Sequence, residues 1–319
     1  MADIKINMQH KGAYFPAAIS MGNYTIRLLR DSNAKASYEL PEDASQFLVD
    51  GTEARSDWNL VYIIMPQEEF TEPEGEFLAG FEEGPAPYRI YKEASGNFLW
   101  VRKDKNKNNS LVYRISKNWS IWELLYDHTE GHSPDFFDEL AYIFPYSVLN
   151  KRGILFHGVV MEWNSMGILV CAHSGVGKST HTGMWKTGEG ARILNGDRAF
   201  CFLEKEQWFT CGVPWNGSSK ECMNRKVILR TVVIIEQSED NQVMQLSRRQ
   251  GALELISLTF APAWESELLN QALDLIDELT RDVLVLKLRC RPDTEAVALL
   301  KQELEKQYFY EEYQEALTN

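Results

Sequence analysis

The sequence predicts an α/β fold, a mixed sheet carrying a phosphate-binding loop, preceded by a smaller, mostly β N-terminal domain. Three observations predict it. An apolar run, Ile168-Leu169-Val170-Cys171, delivers Ser174-Gly175-Val176-Gly177-Lys178-Ser179-Thr180, and a helix-like stretch follows. Strand, glycine turn, Lys-Ser and helix is the order of a phosphate-binding loop. Short β-rich pieces punctuated by Pro, Gly and Glu fill residues 24–115, whereas strand-like and helix-like stretches alternate after about residue 135.

In the first part, Tyr24–Leu29 and Asn59–Met65 read as strands. Phe98–Val101 and Leu111–Ile115 read as a hairpin around the basic tip at 103–107. Breaks are expected at 72–76 and 82–85, where Pro, Gly and Glu gather. The sequence from Phe136 to Phe144 is helical, with Pro145 expected to kink or restart it. The expected division is 1–130 for the mostly β domain and 131–319 for the catalytic one. In the latter, Gly153–Met161 is a strand, followed by a tight turn over Asn164–Gly167. Phe200–Leu203 and Trp208–Cys211 form a hairpin, and Val227–Leu229 and Val232–Glu236 a buried run interrupted by Arg230. Leu268, Leu269, Ala272, Leu275, Ile276 and Leu279 recur at helical spacing. A last strand, Val283–Cys290, leads to a terminal helix opened by Pro292-Asp293-Thr294-Glu295.

Composition bounds the function. The 319 residues are 44% hydrophobic, enough for a sizeable core in one or two domains. A net charge of -13 without a basic block argues against nucleic-acid binding. No stretch is apolar and long enough to span a membrane. The N-terminus lacks a signal-like apolar region, so a cytoplasmic protein is expected. Five cysteines with no CxxC read as free thiols.

The chemistry-bearing residues cluster in the second part. Ser174, Gly175, Val176, Gly177, Lys178, Ser179 and Thr180 are the nucleotide-binding candidates. Gly175 and Gly177 let loop amides turn inward, Lys178 reaches the terminal phosphates, and the Ser179 hydroxyl ligates the nucleotide's magnesium. Ala172 stands where the usual pattern opens with glycine, and alanine tolerates a positive φ poorly. His157 lies on the strand preceding the loop's own, within reach of the phosphates or simply in the core. Asp197 ends an apolar strand after the loop helix. It can bind metal, hold a metal's water, take a proton from an acceptor hydroxyl, or be a turn residue. Lys220, Asn224, Arg225, Lys226 and Arg230 are candidates for phosphate or acid contacts.

The stretch from about Arg152 to Leu300 resembles the catalytic domain of the HPr kinase/phosphorylase family, and more closely the small HPr-kinase-like proteins of bacteria. Leu155-Phe156-His157-Gly158, the Ser174–Thr180 loop, Leu194-Asn195-Gly196-Asp197, Gly212-Val213-Pro214-Trp215 and Leu288-Arg289-Cys290-Arg291-Pro292 carry the resemblance. It implies a fold related to phosphoenolpyruvate carboxykinase. It also implies an ATP- and Mg²⁺-dependent kinase acting on a serine-type hydroxyl, and often an oligomer. His157 would lie beside the reacting phosphate, and Asp197, with Lys178, would be catalytic. The family has two adjacent aspartates where this chain has Gly196 and Asp197. Asn195 can hold a metal's water but is no base.

Three activities fit these residues. The first is transfer of the ATP γ-phosphate to a hydroxyl of a small molecule or peptide, with Ser179 and Asp197 on the metal. The second is a nucleotide-binding switch or degenerate kinase. The third is a carboxykinase-like reaction, which needs arginines such as Arg225 and Arg230 for carboxylates.

Overall fold

The computed structural model of the chain describes residues 17–31, 33–34, 41–50, 58–65, 74–81, 87–103, 110–127 and 136–309. The basic tip at 104–107, the turn segments at 72–73 and 82–85, the N-terminal residues 1–5 and the tyrosines at 310 and 313 lie outside the described residues, as does the boundary expected near 130. The chain is mixed α/β. It divides into a unit of Met1–Lys151 with Pro262–Ser266, and a unit of Arg152–Ala261 with Glu267–Asn319, similar in length.

Among the described residues the first unit holds nine strands: β1 Ala17–Met21, β2 Tyr24–Arg30, β3 Leu48–Asp50, β4 Leu60–Ile64, β5 Glu76–Phe81, β6 Tyr88–Lys92, β7 Phe98–Lys103, β8 Ser110–Ile115 and β9 Ile121–Asp127. They form one mixed sheet in the order β3-β1-β2-β4-β9-β8-β7-β6-β5, parallel only at β2–β4 and β4–β9. Helix α1, Phe136–Ser147, belongs to this unit and runs through Pro145 without a break. Pro145 sits in the last turn of the helix, where its missing N–H removes one helical hydrogen bond. Residues 262–266 belong here because Trp264 packs edge-on against Tyr146 and tilted against Trp119, at 5.6 and 6.0 Å between ring centres.

The second unit contains β10 Gly153–Trp163, β11 Met166–Cys171, α2 Lys178–Gly188, β12 Arg192–Asn195, β13 Arg198–Glu204, β14 Gln207–Cys211, β15 Lys226–Gln237, β16 Gln242–Gln245, α3 Arg248–Ile256, α4 Ser266–Asp282, β17 Leu284–Cys290 and α5 Thr294–Tyr308. Its sheet runs β11-β10-β13-β14-β15-β17-β16, and a further β11–β15 pairing closes five of these strands into a ring. β11, β15 and β17 are mutually parallel and interior. β11 and the middle of β15 read as nearly continuous apolar runs, whereas β17 carries Lys287 and Arg289 at alternate positions, paired with Glu236 and Glu254. β15 is one twelve-residue strand rather than two pieces, because Arg230 falls on an exposed position of the strand. α4 buries Leu268, Ala272, Leu275, Ile276 and Leu279, as its period predicts. Each large apolar side chain so buried contributes roughly 1.5–3 kcal/mol. α5 is capped by Asp293, whose carboxylate accepts from the Ala296 amide, and buries Ala296, Val297, Leu300 and Leu304 in the core that also holds Trp163 and Trp185.

Candidate functional site

Strand register assembles the site. Gly158 of β10 pairs with Cys171, the last residue of β11, and His157 pairs with Arg198, the first residue of β13. His157 therefore stands between the strand end that enters the glycine loop and the turn that carries Asp197. Its Nδ1 lies 3.6 Å from Asp197 Oδ1, within range of charge but beyond a hydrogen bond. Burial, then the positive charge of Lys178, lowers the His157 pKa, with Arg198 and His173 adding to the effect and Asp197 opposing it. The balance favours the neutral imidazole.

The loop between β11 and α2 owes its shape to two glycines. Gly175 has φ +80° and Gly177 φ +116°, and a Cβ on either would meet nothing within 4 Å. Glycine is needed there for backbone conformation alone. Ala172 is not among the residues with positive φ, so its alanine costs nothing at the place where the usual pattern has glycine. Lys178 opens α2 and turns its side chain back along the loop. Its Nζ donates to Ala172 O at 2.8 Å, with His173 O at 3.4 Å. Burial pushes its pKa below the usual lysine value, while Cys171 and Asp197 pull it up. Ser174, Ser179 and Thr180 are exposed, whereas Val176 is half-buried and its carbonyl accepts from Gln237 Nε2 at 3.1 Å.

Asp197 is held by its backbone. Its N–H donates to Asn195 Oδ1 at 2.9 Å, and its carbonyl accepts from Gly158. Asn195 is fully buried. Its Oδ1 also accepts from the Arg198 amide, and its Nδ2 donates to Val213 O and Trp215 O. The expectation that Asn195 holds a metal's water fails for this reason: its polar atoms are committed to pinning two loops together. Over the neighbouring Gly196 lies Ser219, whose Oγ would be 2.2 Å from a Cβ built there. No second aspartate fits while that loop stays in place.

Other candidates are drawn elsewhere. Arg225 makes a bidentate pair with buried Glu162, both bonds 2.6 Å, which removes one of the two arginines a carboxylate pocket would use. Lys226 pairs with Glu204 and sits 4.4 Å over the Phe209 ring. Lys220, Asn224 and Arg230 are exposed. The sequence reading missed Arg198, His173 and Phe260. Arg198 Nε is 3.7 Å from Asp197 Oδ2, and its guanidinium lies 5.4 Å from the centre of the Phe260 ring. Phe260 arrives because residues 258–260 run beside β10, with the His157 amide donating to Leu258 O. Arg198 and His173 adjoin Asp197 and the glycine loop in sequence, so their positions were legible. Phe260 has no local signal, since only the long-range pairing of residues 258–260 with β10 brings it in.

Among the described residues no three His, Cys, Asp or Glu side chains stand together as a metal cage. Ser179 and Asp197 offer one hydroxyl and one carboxylate. That donor set suits a magnesium that arrives with its own phosphate ligands. No helix among the described residues is long and apolar enough to cross a membrane. No family model matches the chain, and no curated protein matches it. Among solved structures it is similar to the HPr(Ser) kinase/phosphatase from Coxiella burnetii, at 10% identity and a TM-score of 0.31 over 50% of this chain and 96% of that one.

Proposed function

We propose that the chain is an ATP-dependent phosphotransferase that moves the γ-phosphate to a hydroxyl of a small molecule or peptide. The observation that carries this reading is the convergence of Lys178, His157 and Asp197 at the end of β11. Loop amides and the N-terminus of α2 favour an anion, and Lys178 needs only to leave two loop carbonyls to meet it. Asp197 takes the proton of the acceptor hydroxyl. The hydroxyl oxygen then bonds to phosphorus as the bond to the ADP oxygen breaks, and ADP leaves with that electron pair. Neutral His157 donates a hydrogen bond to the phosphoryl group in transit, and Arg198, steadied by Asp197 and Phe260, adds positive charge nearby. Magnesium bound with the nucleotide neutralises phosphate charge.

A second reading, a nucleotide-dependent switch, is favoured by Ser219 filling the space above Gly196, which leaves a single carboxylate. Asp197→Asn separates the two. For the kinase, acceptor-dependent ADP formation falls about 100-fold, the scale of a positioned base, while nucleotide affinity without metal is unchanged. Wild-type protein that binds MgATP yet transfers to none of a panel of hydroxylated metabolites and serine peptides identifies the switch.

A further inference from the structure

The segment between β14 and β15 makes a turn that lies on the Asp197 carboxylate. Gly217 in that turn has φ +57°, and a Cβ built there would stand 2.8 Å from both Asp197 Cγ and Asp197 Oδ2. Glycine is required twice over, for its left-handed backbone and for close approach to the carboxylate. The turn is anchored on both sides. At its start Asn195 Nδ2 donates to Val213 O and Trp215 O. At its end the Gly196 amide donates to Glu221 O, and the Glu221 carboxylate pairs with Lys186 of α2. These contacts tie the turn to the strand end before Asp197 and to the helix that Lys178 opens.

Two hydroxyls follow Gly217. That of Ser219 is spent inside the turn, on Asn216 O and the Glu221 amide. Ser218 is exposed, and its hydroxyl makes no hydrogen bond among the described residues. Its Cα lies about 3.8 Å from that of Gly217, the spacing of a trans peptide. A free hydroxyl therefore sits one residue from the backbone that touches the carboxylate. The exposed hydroxyls of Ser174, Ser179 and Thr180 belong instead to the glycine loop and the start of α2.

We propose that Ser218 is a phosphorylation site served by the protein itself, the chain transferring the γ-phosphate of its bound ATP to Ser218 Oγ in cis. The inference rests on the phosphotransferase reading above. Asp197 takes the proton of the Ser218 hydroxyl. The Ser218 oxygen bonds to the γ-phosphorus, the bond from that phosphorus to the bridging oxygen of ADP breaks, and ADP leaves with the electron pair. Attachment to the same chain gives this hydroxyl a high effective concentration, so it competes with a free acceptor.

The test incubates the full chain with magnesium and γ-labelled ATP, without added acceptor, and locates the label by peptide mass spectrometry. Wild type should acquire phosphate on Ser218 at a first-order rate that stays constant over about a hundredfold dilution of the protein. Ser218→Ala should lose that label while binding MgATP within about threefold of wild type by calorimetry. Ser218→Thr should regain it at the same position, and Lys178→Ala should acquire none. Label confined to other residues, or a rate that rises with protein concentration, overturns the inference. So does a labelled Lys178→Ala, which marks a copurified kinase. Unlabelled wild type that forms ADP with a hydroxylated metabolite or serine peptide also overturns it and leaves the phosphotransferase standing. Neither label nor acceptor-dependent ADP formation overturns both.

Discussion

Gly196 occupies the place where the resemblance leads one to expect an aspartate, and Ser219 explains why it is glycine. Ser219 Oγ donates to Asn216 O at 2.7 Å and accepts from the Glu221 amide at 3.2 Å, so it cannot move without loosening its own turn. Gly196→Asp should therefore destabilise the protein by about 1–3 kcal/mol, the usual cost of overpacking. Adding Ser219→Gly should recover most of that loss, as urea unfolding would show; a stable single variant would mean that the loop yields freely. His181 makes a pH-dependent contribution of definite sign. Burial lowers its folded pKa from the ordinary 6.5 of a histidine to about 4. The neutral ring is favoured in the fold, so the contribution is complete above pH 6.5 and is lost as pH falls from 6.5 towards 4. Between pH 7 and 4.5 the wild type should lose about 2–3 kcal/mol more than His181→Gln. Parallel unfolding curves at the two pH values would refute this.

At the scale of elements, the β11–loop–α2 unit depends on backbone conformation rather than on packing at its glycines. Gly177 caps α2 in the left-handed region, with φ 116° and ψ 19°. Gly177→Ala should cost about 1–2 kcal/mol through strain alone and weaken MgATP binding. Gly188, the last residue of the same helix, also has open space around a Cβ but no positive φ. Gly188→Ala should be neutral or stabilising by up to about 1 kcal/mol. Chemical denaturation of both variants checks the contrast, and equal effects would remove the conformational argument. β15 teaches a related lesson. A charged residue inside an apolar run looks like an interruption, yet a strand accommodates it on an exposed position without a break.

For the whole molecule, the consequence of two units is that ligand binding need not protect both. All the candidate site residues lie within Arg152–Ala261 and Glu267–Asn319. At a nucleotide concentration 100 times Kd, binding stabilises the species that binds by about 2.7 kcal/mol. Hydrogen exchange with and without MgATP should show slowed amides in 152–261 and 267–309. The strands of the first unit should exchange as before. Protection confined to the nine-stranded sheet would place the nucleotide elsewhere.

Local pattern alone disclosed much of this protein. The apolar run before Ser174, the paired glycines and Lys178-Ser179 marked a strand, a special turn and a helix start, because each depends on neighbours within a few residues. The α4 stripe and the β13–β14 hairpin were legible for the same reason. Other features waited for the fold. Arg198 opens β13 whereas Phe260 lies far along the chain outside any strand, and they meet only because residues 258–260 run beside β10. Asn195 looked like a metal-site residue until its burial showed every polar atom already engaged. Residues 262–266 join the first unit through Trp264, a contact that no period in the chain announces. Propensity and turn chemistry act over short distances and can be read from neighbours. Register, burial and the spending of polar groups are set by long-range pairing, so only the assembled chain decides them.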